Sequence, residues 1–153
     1  MPRAIEVNTK IDTRRLNNIL RNLGANTDKA LRQVAFKVQQ EAVTMMGEPK
    51  HGRLYDDHQA SAPGEAPAID TGALANSIYV ATPTQNQPPT GADVSLPTPK
   101  RSTVNVGPSV WYGALLEFGG GMAPRPFLRP AVGITARYVQ SHPEMFDEVV
   151  TDG

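Results

Sequence analysis

Cysteine is absent from this chain, which excludes disulfides and thiolate metal centres and suits a reducing compartment. Net charge is absent as well, because fifteen Lys and Arg offset fifteen Asp and Glu. Duplex binders carry a basic excess, since their affinity comes largely from neutralising phosphates. Overall charge therefore argues against a dedicated nucleic-acid binder, while leaving room for a local basic patch. Balanced charge also removes the self-repulsion that keeps proteins monomeric. No apolar run approaches the length of a membrane span, and the opening MPRAIEV has no apolar signal core, so a soluble intracellular protein is expected. Neither HExxH nor GxSxG occurs, and the three histidines fall in loop-like stretches.

Proline and glycine are plentiful instead, at 14 and 13 in 153 residues, with a hydrophobic content of only 39%. A domain of this length buries about 70% of the surface its unfolded chain exposes, so a core is possible. Much of the chain must nevertheless be irregular. The reading is a single domain over 1–153.

AIEVNTKI (4–11) alternates and predicts a short strand. Asp12 and Thr13 then offer an N-cap to a short helix over 14–24, with Leu16, Ile19, Leu20 and Leu23 at helical spacing. From Thr27 a long amphipathic helix is predicted, with Leu31, Val34, Ala35, Val38, Ala42, Val43 and Met46 on one stripe and Gly47 at its end. Residues 48–69 show no period and read as a loop. Asp70 or Thr71 can cap one helical turn around Leu74, and SIYVAT follows as a strand. Residues 83–101 hold five prolines and few large apolar groups, which predicts a flexible arm or extended hairpin loop. STVNVG is a second strand, with Thr103 and Asn105 alternating against Val104 and Val106. A short apolar helix over SVWYGALLEFGG and a last one from Pro126, loosened by Pro130 and Gly133, complete the pattern. The tail 143–153 is expected to fray. The fold class is α+β: a long amphipathic N-terminal helix on a small antiparallel sheet, with short C-terminal helices and the extended arm.

Candidate chemistry is sparse. His51, Asp56, Asp57 and His58 crowd one stretch, but adjacent extended residues point apart, so a solvated loop is the simpler reading. The triplet Gly119–Gly121 follows a helix and precedes proline, which suits a flexible hinge better than a phosphate cradle. Arg125 and Arg129 flank Phe127 and Leu128. They read either as exposed arginines around two core residues at a helix start, or as charged anchors at a subunit contact, with Glu117 of the same subunit or its neighbour as their acid. Trp111, Tyr112 and Phe118 read as core rather than stacking platforms, since no basic residue is interleaved with them. No catalytic, cofactor or metal site is expected.

Three segments together resemble the tail-completion (neck) proteins of long-tailed bacteriophages. Their carriers are Thr71, Gly72, Leu74, Ser77 and Ile78; then Val106, Gly107, Tyr112, Glu117, Phe118 and Gly119; then Arg125, Pro126, Phe127, Leu128, Arg129 and Pro130. The likeness covers about 28–140, and the arm and the N-terminal strand and short helix depart from it. It implies a non-enzymatic virion protein without cofactor, assembled in the host bacterial cytoplasm. There it would form a homo-oligomeric, sixfold ring between the head connector and the tail tube. Neighbouring neck and tail-tube proteins would be its partners, DNA would pass through the lumen without sequence-specific contact, and no membrane is involved. Subunit-contact candidates are Glu117, Phe118, Arg125, Phe127, Leu128 and Arg129. A tail terminator capping the tube is the related alternative. From a different class, an intracellular regulatory module binding a peptide or nucleic acid through its arm remains open.

Overall fold

The computed structural model describes residues 9–10 and 27–146. The short helix expected over 14–24, most of the opening strand and residues 147–153 of the tail lie outside them. Within the expected first strand, β1 spans Thr9–Lys10.

Helix α1 spans Thr27–Met46. Ala30, Leu31, Val34, Ala35, Val38, Ala42 and Met46 are all buried, because steps of three and four residues return to the same side of a 3.6-residue helix. Val43 on the stripe's edge is only partly buried. On the polar side Lys37 and Glu41 pair at 2.9 Å, a contact worth only about 0.2–0.5 kcal/mol, so the buried stripe carries the helix. The Gly47 N–H ends it, shared between the carbonyls of Val43 and Thr44.

Two further short segments form a hairpin, β2 (Leu54–Tyr55) with β3 (His58–Gln59), where the sequence predicted only loop. Its turn is Asp56–Asp57, with Asp56 at φ 48°, a left-handed conformation that a short polar side chain tolerates. Two-residue strands carry no readable period, which is why the pattern missed them. Glu65 fastens the hairpin's base: its carboxylate accepts from the backbone N–H groups of His51 (3.0 Å) and Ala62 (2.8 Å) and meets His51 Nδ1. The Ala62 N–H, then the His51 contacts, hold its carboxyl down at about 2, from an ordinary 4.5.

Helix α2 (Ala73–Ser77) leads into β4 (Tyr79–Ala81), which pairs antiparallel with β5 (Asn105–Gly107); β5 in turn pairs with β1, giving the order β1-β5-β4. Val80 lies opposite Val106. The two-residue period of a strand sends these valines to one face and Tyr79, Ala81 and Asn105 to the other. α1 lies on the valine face. Helix α4 (Leu128–Ser141) packs along α1 with Leu128, Ala131, Thr135 and Val139 buried. The arrangement is the expected α+β fold, completed by α3 (Gly113–Phe118).

The other sheet face is covered by the proline-rich segment 83–101. Tyr79, Ala81 and Leu96 form a second small cluster. The Tyr79 hydroxyl donates to Asn86 Oδ1 (2.9 Å) and accepts from the Leu96 N–H (2.7 Å). Asn86 donates to the Leu96 carbonyl and to Thr98 Oγ1, and Asn105 donates to the Pro97 carbonyl. Burial pushes the Tyr79 phenol up from its ordinary value. The segment is an extended loop, as its composition predicts, but it is pinned across the sheet rather than standing off as an arm. One leucine and a set of side-chain-to-backbone bonds do this, and none of them leaves a periodic signal. Asn105 is buried for the same reason, against the expected solvent-facing alternation.

The last helix is unbroken despite Pro130 and Gly133. Pro130 sits in the first turn, where its missing N–H would have had no helical partner. At the expected frayed tail, residues Pro143–Phe146 form a 3₁₀ turn. No described helix is long and apolar enough to cross a membrane, and no described group of His, Asp and Glu could hold a metal ion.

Candidate subunit-contact site

The three segments that carry the resemblance meet in space. Thr71 Oγ1 accepts from the Ala73 N–H (3.3 Å) as α2 begins. At the other end of α2 the Ser77 carbonyl accepts both the N–H (3.0 Å) and the hydroxyl (2.9 Å) of Ser109. Gly113 then passes so close to Pro108 that a Cβ there would lie 2.3 Å from the proline Cγ, so only glycine fits. Leu74 of the first segment and Leu116 of the second line one cleft of about 400 Å³, shared with Ile69, Tyr112, Met122 and Arg125.

Glu117 links the second segment to the third. It is 2% exposed, at the C-terminal end of α3. Its Oε2 accepts from the N–H groups of Phe127 (2.8 Å) and Leu128 (2.9 Å), and its Oε1 from that of Arg129 (2.9 Å). A helix leaves four N–H groups without helical partners at its start. At α4 the carboxylate takes three of them, and the fourth position is Pro130, which has none. The first turn is thus fully satisfied, and a buried negative charge sits at the positive end of the helix dipole.

Between these helices the glycine-proline stretch, expected as a flexible hinge, is an exposed turn closed by backbone hydrogen bonds. Gly119 has φ 82°, and a Cβ on it would lie 2.8 Å from the Met122 carbonyl oxygen. The Arg125 N–H donates to the Leu116 carbonyl (2.7 Å), and the Gly64 N–H to that of Pro124 (3.0 Å). Gly119 is used here for conformation and clearance, and the closing bonds tie the far end of the turn to α3 and to Gly64.

The six candidate residues divide accordingly. Phe127 and Leu128 are both 0% exposed and lie in the chain's own core. Both can face the core because Phe127, at φ −135°, precedes the helix and is not separated from Leu128 by a helical step. Glu117 is committed within its own chain, which corrects its assignment as the acid that a neighbour's arginines would grip. Phe118, Arg125 and Arg129 reach the surface. The Arg129 guanidinium lies 4.8 Å from the centre of the half-exposed Phe118 ring. Arg125 is held by the carbonyls of Ser61 (3.3 Å) and Ala123 (3.1 Å), and neither arginine pairs with a carboxylate among the described residues.

Trp111 was expected in the core and is instead 59% exposed, edge-on to Tyr112 at 5.6 Å. Phe118 is also exposed, and Ile69 and Met122 are exposed where they line the cleft. Sequence reasoning missed the exposure of Trp111 and Phe118 because an apolar run between glycines does not say which members face inward. No family model, curated protein or solved structure matches this chain.

Proposed function

We propose that this chain is a non-enzymatic structural protein of a long-tailed bacteriophage, forming a sixfold ring in the neck that joins the DNA-filled head to the tail. The observation that carries the reading is the ordered set of three segments, Thr71–Ile78, Val106–Gly119 and Arg125–Pro130. Support comes from their assembly into one connected unit through Ser77–Ser109 and Glu117–α4. The same unit exposes Trp111 and Phe118 and two arginines without carboxylate partners among the described residues, a composition that suits protein–protein contact. Neighbouring copies and the adjoining connector and tail-tube proteins are the partners, and DNA passes through the lumen without sequence-specific contact.

Inactivating the gene in its phage tests this. Full heads and finished tails should accumulate unjoined, and the wild-type gene supplied in trans should restore joined particles. Normal joined particles from the inactivated phage would refute the reading.

A further inference from the structure

The hairpin 53–59 and the cleft beside α3 have complementary chemistry that neither satisfies within the described chain. Leu54 is 61% and Tyr55 51% exposed, on a hairpin of two strands only. A two-stranded hairpin is marginal in water unless something packs against it, and here Glu65 fastens only its base. Asp56 and Asp57 at its tip make no ion pair among the described residues, and Arg53 lies over the Tyr55 ring at 5.0 Å. The cleft mouth offers the reverse pattern. Ile69 and Met122 are each 44% exposed there, Arg125 lines it without a carboxylate partner, and Asp70 lies along it.

We infer that the hairpin of one copy docks into the cleft of a second copy, with Leu54 and Tyr55 against Ile69 and Met122. Asp56 and Asp57 then face Arg125, with Arg129 close by at the start of α4, and Arg53 faces Asp70. Each arginine meets a carboxylate it lacks within the chain, and the apolar residues of both surfaces leave water together. His58 of the hairpin borders its own chain's cleft, but Leu54, Tyr55, Asp56 and Asp57 do not line it, so the giving and receiving residues differ and the contact repeats from copy to copy, as a closed ring requires. The inference deepens the ring reading and rests on it, by naming the surfaces through which copies meet.

The absence of cysteine makes the test clean. A tagged Leu54→Cys variant is mixed with an untagged Met122→Cys variant, oxidised, and scored for tagged–untagged disulfide. Exposed Gln40→Cys in place of Leu54→Cys is the control for random collision. The mixed product should exceed the control on the order of tenfold, and adding Asp56→Asn and Asp57→Asn to the hairpin partner should remove most of that excess. Asparagine accepts the left-handed turn at Asp56, so this variant keeps the hairpin. A product equal to the control, or one untouched by the asparagine pair, overturns the docking. If a ring stands in the virion neck while the cross-link fails, only the assigned surfaces fall. If the cross-link forms and the particle holds no such ring, the neck reading falls instead.

Discussion

Replacing Glu117 by alanine isolates the clasp that joins α3 to α4. The substitution leaves three N–H groups without an acceptor, and two of them, on Phe127 and Leu128, belong to residues with no exposed surface. Water cannot substitute at those two without opening the core. An unsatisfied buried donor costs about 1–3 kcal/mol, so the pair alone predicts a loss of about 2–6 kcal/mol. The lost charge at the helix dipole adds about 0.3–2 kcal/mol. Against a domain stability of about 5–15 kcal/mol, such a loss lowers the melting temperature strongly, and its upper end unfolds the least stable case. At about 2–4 °C per kcal/mol, the midpoint should fall by roughly 5–30 °C. Differential scanning calorimetry of the purified protein measures it. Glu117→Gln, which keeps the shape and one acceptor oxygen, should lie between alanine and wild type. A fall under 2 °C on the same scale for Glu117→Ala would refute the clasp, and the carboxylate would then be no more than a filler of space.

The other expectations divide stability from assembly. Phe127→Ala should cost about 3–5 kcal/mol in a denaturant titration, as a large buried ring lost from a core does. Arg129→Ala removes only an exposed contact with Phe118, worth about 0.5–1 kcal/mol, and should leave melting nearly unchanged while reducing the yield of joined particles. Tyr79→Phe strips the Leu96 N–H of its acceptor and should cost about 1–3 kcal/mol, and deleting 86–98 should cost more because it uncovers Tyr79 and Ala81. Glu65 has a folded pKa below its unfolded one. Its contribution is therefore complete above pH 4.5 and is lost as pH falls from there towards about 2. Glu65→Gln should flatten the stability–pH curve over that interval, which urea titrations at several pH values would show.

The long helix was legible because seven apolar residues fall on one stripe, and a 20-residue helix repeats its period enough times to be read. Strands of three residues were legible only through their neighbours: Gly107 and the valines for β5, and the turn before Tyr79 for β4. The hairpin at 54–59 and the docking of 83–101 were not legible. Two-residue strands have no period, and the loop is held by Tyr79, Asn86 and Asn105 reaching backbone groups far along the chain. At the candidate site, composition singled out one stretch but not how its residues divide between core and surface. A glutamate between leucine and phenylalanine reads as a surface charge until the N–H groups of Phe127, Leu128 and Arg129 are seen to converge on it. Trp111 shows the opposite error, since a large apolar side chain is expected inside and nothing local marks it as exposed.

Cryo-electron microscopy of the intact particle tests the central claim most directly. The account predicts density for this chain in the neck as a closed sixfold ring around the DNA path, lying between the connector and the tail tube. A particle in which the chain is absent from the neck, or present there as a single copy, would contradict it.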